Sequence, residues 1–181
     1  MVTGGGAARV SSDTEEIRGQ PFFGKEPEVV KGLDVKRYVG RWYEIAKFPT
    51  FFEPRGGENT RATYALRTDG DIDVLNETFL KGKRKSIKGV AYKEDPKSDE
   101  AKLRVKFDNI PIIRGFYWVL YVDTDYQYAV VGDPFRITLY ILSRKNKIDD
   151  QVYTQLVQKA AEQGYDVSRL SKTTQTDPPP S

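Results

Sequence analysis

Cysteine and histidine are both absent from the 181 residues. Without thiols there can be no disulfide, no thiolate nucleophile and no zinc site of the Cys/His type. Without imidazole there is no histidine-based acid–base catalysis and no histidine ligation of haem. The lack of cysteine leaves the compartment open, because a secreted barrel can do without disulfides and a cytosolic one normally does. Long apolar runs are missing too. No stretch near the roughly 18 residues of a membrane span occurs, and the opening MVTGGGAARVSSDTEEIRGQ lacks the apolar core of a signal peptide, so a soluble chain not exported by the usual signal is expected. Asp13, Glu15 and Glu16 argue against a plastid transit peptide, although the Ser, Gly and Ala bias favours one. A surplus of one charge sign is also lacking: 29 Lys+Arg against 26 Asp+Glu leave a net +3, which speaks against a nucleic-acid partner.

The chain does hold a 38% hydrophobic and 12% aromatic content, enough for one real core. Residues 1–28 are rich in Gly, Ser and charge without periodicity, and read as a disordered extension from which Phe22 and Phe23 could dock on the body. Residues 171–181, which include Asp177-Pro178-Pro179-Pro180, read as a disordered Pro-rich tail. Between them, over 29–170, short runs of Val, Ile, Tyr, Phe and Thr recur with turn residues between, as in a sandwich or barrel. Eight strands are expected near 41–48, 60–67, 71–80, 85–93, 101–107, 115–122, 126–131 and 137–143. Arg67-Thr68-Asp69-Gly70 is a tight hairpin signal, Glu94–Asp99 a polar loop and Asp123-Thr124-Asp125 a short one. Asp149 and Asp150 then open a segment with Val152, Leu156, Val157 and Ala160 at helical spacing, stopped by Gly164. The fold predicted is all-β: an eight-stranded antiparallel up-and-down barrel with one α-helix packed outside.

Gly40-Arg41-Trp42-Tyr43-Glu44-Ile45 resembles the Gly-x-Trp motif that opens the first strand of lipocalins. Thr124-Asp125-Tyr126 resembles the second motif of that family, and Arg144 the third, in the right order along the chain. Asn76-Glu77-Thr78, the stretch Asp95–Leu103 and Gly164-Tyr165-Asp166-Val167-Ser168 are similar to the temperature-induced lipocalins of plants and their bacterial and apolipoprotein-D-like relatives. The resemblance covers about 29–176; the opening extension has no counterpart, the loop Asp108–Arg114 is shorter than the plant proteins' proline-rich loop, and the lipobox Cys of the bacterial relatives is missing.

The resemblance implies a carrier without catalysis, cofactor or metal. It holds a fatty acid, lysophospholipid, sterol or isoprenoid in its calyx and protects membranes under stress, and it is cytoplasmic with peripheral membrane association. It further implies a barrel base where Arg144 covers Trp42 in a cation–π contact, supported by Gly40, Thr124, Asp125 and Tyr126. Family alignment and the period-2 alternation of strands together place Ala62, Tyr64, Leu66, Val74, Asn76, Thr78, Ile87, Gly89, Ala91, Leu103, Val105, Phe107, Tyr117, Val119, Tyr121, Ala129, Val131, Tyr140 and Leu142 inside. Of these Ala62, Tyr64, Val74, Asn76, Ile87, Gly89, Val105, Phe107, Tyr117, Val119, Ala129, Val131 and Tyr140 are the candidate ligand contacts. The small Ala62, Gly89, Ala91 and Ala129 are read as keeping the interior open; a filled barrel is the alternative. The same parity turns Glu44 inward as a hydrogen-bonded structural carboxylate.

Asn76-Glu77-Thr78 also matches a glycosylation acceptor, set aside because Asn76 is expected inside. At the mouth, opposite Trp42, the links collect Phe51, Phe52, Lys83, Arg84, Lys85, Ile112 and Ile113, a mix of apolar and basic groups suited to an anionic membrane. A solvated hairpin tip and a lid over the ligand are the alternatives at these loops. The competing functions are a protein-interaction module using the rim and the opening extension, and a lipocalin-type enzyme. Oligomeric state stays open.

Overall fold

The computed structural model describes residues 24–51, 53–110 and 114–181. Phe22, Phe23, Phe52, Ile112 and Ile113, singled out above, lie outside the described residues. A four-residue helix α1 (Val35–Tyr38) leads into β1 (Gly40–Lys47), β2 (Glu58–Leu66), β3 (Ile72–Leu80), β4 (Lys83–Lys93), β5 (Lys102–Phe107), β6 (Arg114–Val122), β7 (Tyr128–Gly132) and β8 (Leu139–Ser143). Helix α2 (Asp150–Glu162), a single 3-10 turn (Val167–Arg169) and a two-residue strand β9 (Ser171–Lys172) follow. Each strand pairs antiparallel with the next, and β1 pairs with both β8 and β2, closing an eight-stranded barrel.

Turn chemistry sets the strand ends. Arg67–Asp71 closes as expected, with Gly70 at φ +90° and the Asp69 carboxylate accepting from Asp71 N–H at 2.9 Å. Lys81 and Gly82 both have positive φ, the backbone of a two-residue hairpin whose twist matches the strands. Two expected strands are shortened by aspartates. Asp123 Oδ1 accepts from the backbone N–H of Gln127 and Tyr128, so β7 begins at Tyr128 rather than 126. The Asp133 carboxylate accepts from the N–H groups of Phe135, Ile137 and Thr138, which curls 133–138 into a turn and delays β8 to Leu139.

The side chains form two cores. The inner one, around Trp42, Tyr64, Val74, Leu103, Val105, Val119 and Leu142, lies inside the barrel. The outer one gathers Phe48, Trp118, Leu120, Val130, Leu139 and Ile141 under α2, whose Leu156 and Ala160 are buried against them. Tyr165, just past the helix, brings its hydroxyl against the backbone N–H and C=O of Asp133 at 3.0 and 2.7 Å. A Cβ on Gly132 would stand 2.3 Å from that oxygen, so only glycine lets the ring approach.

Bulges break the strict alternation at two places that matter. In β6 the register slips between Val119 and Tyr121, so Leu120 and Tyr121 both face the outer core. Tyr121, expected inside, is therefore outside, and Val122 turns in against the inner core. In β1 the slip lies between Glu44 and Ala46, which sends Ile45 and Ala46 outward and brings Lys47 in beside Glu44. Leu66, also expected inside, sits at the end of β2 and is 42% exposed.

Both supposed tails depart from expectation where the structure describes them. Residues 25–28 are fastened to the body, with Glu28 N–H on Gln163 Oε1 at 2.7 Å and Arg136 Nη2 on Lys25 C=O at 2.9 Å. The segment from Ser171 onward is an ordered strap. β9 pairs with Ala46 and Lys47, and Thr173 N–H bonds Ile45 C=O. Gln175 Nε2 reaches the carbonyls of both Glu44 and Thr60, and Thr176 bonds the side chain of Asn59. The strap lies in the seam where the mouthward halves of β1 and β2 splay apart, satisfying backbone groups a closed barrel would otherwise leave unpaired. Over its outer side, Arg61 donates to Pro180 C=O at 2.5 Å and to Glu77 at 3.0 Å, both side chains being buried.

Candidate functional site

The base of the barrel is built first by Trp42, which is fully buried and donates from Nε1 to Tyr38 C=O at 2.8 Å. The Arg144 guanidinium stacks over its ring at 3.8 Å and donates to the carbonyls of Arg37, Tyr38, Arg41 and Tyr126. Such a contact away from water contributes on the order of 1–2 kcal/mol, beyond the hydrogen bonds. Gly40 has φ +100° and an added Cβ would meet Arg144 Nη1 at 3.3 Å, so glycine answers both the backbone and the close arginine. Tyr126, at φ +54°, presents its hydroxyl to Asp34 N–H and its ring to Arg37, while Arg37 donates to Thr124 C=O. Asp125 contributes its carbonyl to Gln127 Nε2. Six residues expected at the base are thus gathered there around α1, which closes the bottom.

Above this floor a cavity of about 580 Å³ opens. Of the thirteen candidate contacts, Ala62, Tyr64, Val74, Asn76, Ile87, Val105, Phe107, Tyr117 and Tyr140 line it. Val119, Ala129 and Val131 do not: they point inward but are covered completely and fill the wall. No residue of β7 is among the lining, and the space lies toward the other strands. Gly89 does not line it either. A Cβ there would be 2.6 Å from Lys106 C=O, so this glycine permits β4 and β5 to approach and leaves no room for ligand.

Several lining groups escaped sequence reasoning. Tyr38 and Leu33 enter from α1 and its approach, Lys47 enters through the β1 bulge, and Glu53 comes from the link between β1 and β2. Near the mouth Lys47 is ion-paired with Glu53 and lies 4.0 Å from Glu44, while Tyr140 donates to Glu53 at 2.7 Å. Glu44 accepts from Thr173 of the strap at 2.5 Å. Burial pushes its carboxyl up to about 7, against the opposing pull of Lys47 and the Thr173 hydrogen bond, with Glu53 adding to the rise. Asn76, midway up the wall, has no hydrogen-bond partner for its amide among the described residues. The floor holds three phenols, Tyr38, Tyr64 and Tyr117. Burial raises all three, Tyr64 to about 12, so they stay neutral.

The rim exposes large apolar side chains: Phe51 is 95% exposed, Phe135 67% and Ile137 60%. Beside them stands the β3–β4 hairpin, where Lys83, Arg84 and Lys85 are exposed, Lys85 also lines the cavity, and Arg84 is paired with Glu77 at 3.2 Å. These three basic residues belong to β4, which starts two residues earlier than expected. Among the described residues no helix is long and apolar enough to cross a membrane.

Comparison with known proteins agrees with this geometry. A family model described as a lipocalin-like domain matches residues 33–175. The chain is 60% identical over 161 residues to temperature-induced lipocalin-1 of Arabidopsis thaliana, covering 86% of this chain and 87% of that one. It is 41% identical over 144 residues to the outer membrane lipoprotein Blc of Escherichia coli strain K12, covering 78% and 79%. Among solved structures, insecticyanin of Manduca sexta shares the fold with a TM-score of 0.67 at 20% identity, over 87% of this chain and 89% of that one. The chain belongs to the lipocalins, a family whose members bind small hydrophobic ligands.

Proposed function

We propose that this lipocalin carries a single lipid-like amphiphile, a fatty acid, lysophospholipid, sterol or isoprenoid, and exchanges it with membranes. The observation that carries the reading is the cavity itself: about 580 Å³ with walls of Val74, Ile87, Val105, Phe107 and Leu142, under a mouth holding Lys47, Glu53, Tyr140 and Lys85. Apolar walls reward burial of a chain or ring system at about 25 cal/mol per Å². Ionic groups gathered at one end only fix which way round the molecule sits. The exposed Phe51, Phe135 and Ile137 beside the basic hairpin suit contact with an anionic lipid surface, and so a route for loading. A protective role for membranes under stress is supported by the likeness to the temperature-induced relative.

The test is native mass spectrometry with lipid extraction, followed by displacement of a fluorescent fatty acid. One bound apolar molecule per chain, displaced by fatty acids or lysolipids, is the expected result; an empty barrel that displaces nothing would defeat the reading. The displacement must be followed through the added fluorophore, since neither Trp42 nor Trp118 lines the cavity. For the membrane step, Phe51→Ser with Phe135→Ser should weaken flotation with vesicles containing phosphatidylserine, and unchanged flotation would remove that step.

A further inference from the structure

The floor of the calyx holds more hydrogen-bond donors than it can use. Tyr38 comes from α1, Tyr64 from β2 and Tyr117 from β6, and all three line the cavity. The rings pack as a set: Tyr64 stacks on Tyr38 at 6.1 Å, and Tyr117 stands edge-on to both at 5.8 and 6.5 Å. The hydroxyl of Tyr117 meets Tyr38 Oη at 2.6 Å, and the Tyr64 ring packs against the Tyr117 ring beside it. Three phenols carry three protons, and contacts among the three hydroxyls use at most two of them. Among the described residues no other protein acceptor takes the third. Around the three stand Ile72, Ala91, Leu103 and Leu142, which offer it nothing.

We infer that this floor is an oxygen-reading subsite: it accepts amphiphiles whose deep end carries a neutral hydroxyl or carbonyl oxygen, in preference to those ending in plain hydrocarbon. The inference rests on the carrier reading above and names the class of lipid. A methyl end seated on the floor leaves the third proton unpaired in apolar surroundings, whereas an oxygen pairs it. The oxygen must be neutral. Arg144 lies behind the floor, but it does not line the cavity and gives four of its five N–H groups to the carbonyls of Arg37, Tyr38, Arg41 and Tyr126, so no cation reaches an anion at this depth by direct contact. Burial that raises the phenols would penalise a carboxylate in the same place.

An acidic headgroup finds its partners at the other end. Val74, opposite Tyr64, and Thr78, opposite Lys85, are four residues apart on β3, on the order of 13 Å at about 3.3 Å rise per residue. A fatty chain with an acid at the mouth and an oxygen at its far end matches both.

The experiment is competition of palmitic acid and ω-hydroxypalmitic acid against a fluorescent fatty acid, on the full chain and two variants. One variant is Tyr64→Phe with Tyr117→Phe, which removes the two phenols most open to the cavity; the other adds Tyr38→Phe. Phenylalanine keeps the ring packing, and the triple variant removes both partners of the Tyr38–Tyr117 hydrogen bond together, which is nearly neutral for stability. The wild-type chain should bind the hydroxylated acid at least as tightly as palmitic acid. In the triple variant the ratio should move about tenfold toward palmitic acid, and in the double variant by less, because Tyr38, left without Tyr117, still offers one proton to an oxygen. A purely structural role for the tyrosines would change both affinities together and leave the ratio in place. A ratio that moves in neither variant overturns the inference, and palmitic acid binding then leaves the carrier reading standing; binding of neither acid overturns both.

Discussion

Raising the pH from 5 to 8 should weaken the barrel through one carboxyl group. Glu44 is buried where the strap meets β1, and its folded pKa is near 7 against an ordinary 4.5. A group that holds its proton more tightly when folded stabilises the protein while protonated in both states, and that contribution is lost as pH rises through the folded value. The window is therefore about 4.5 to 7. At about 1.4 kcal/mol for each tenfold change in proton affinity, the difference corresponds to roughly 3 kcal/mol. With a urea dependence of about 1–3 kcal/mol per molar, the unfolding midpoint should fall by about 1–3 M across the window.

The lack of histidine makes this measurement clean, because no other side chain type ordinarily titrates between pH 5 and 8. Glu77 works in a different range. Burial tends to raise it, but the hydrogen bond and charge of Arg61, with Arg84, hold it below its ordinary value. Its stabilisation is present above about 4.5 and lost only as pH falls through that lower folded value. Glu44→Gln, which keeps an acceptor for Thr173, should flatten the profile between pH 5 and 8. A wild-type midpoint that does not move over this range, or an equal slope in Glu44→Gln, would refute the reasoning.

Arg144→Met removes the stack on Trp42 and four carbonyl partners, and should lower the melting midpoint by about 6–10 °C, read by calorimetry; Arg144→Lys should restore only a fraction, since an ammonium lacks the planar fork. Gly132→Ala puts a methyl into the Tyr165 hydroxyl and should cost about 1–3 kcal/mol in denaturant. Combined with Tyr165→Phe it should cost less than the two separately, and strict additivity would count against the contact. Removing residues from Ser171 onward should speed amide exchange at Ile45–Lys47 and abolish the pH slope assigned to Glu44, as both depend on the strap.

What the sequence made legible follows the strength of local signals. Gly40, Trp42, Tyr126 and Arg144 meet at one end because each has a distinct chemistry that few other positions could supply. The hairpin at Gly70 and the helix stop at Gly164 were readable for the same reason. Inward-facing residues could be read only as far as the alternation stayed unbroken. Bulges in β1 and β6 shift parity without any marker residue, so Lys47 was missed and Tyr121 misplaced. Asp123 and Asp133 looked like loop residues, yet their carboxylates hold several N–H groups each and shorten two strands. Gly89 was read for space, when its bare Cα serves the approach of a neighbouring strand. The strap was hidden by composition: Thr173, Gln175 and Thr176 look like a solvated tail, but they are polar because the seam they fill consists of backbone.

The strap also dictates the order in which the molecule can be finished. β1 takes partners from β8, β2 and the segment after Ser171, so on a ribosome the first strand is made early and completed late. Through β2 to β8 and the helix, its mouthward edge waits with open hydrogen-bonding groups. A chain that pauses or is cleaved before Thr173 would present that edge to other copies. Aggregation of such nascent or clipped forms, more than of the finished barrel, is the hazard this topology has to manage.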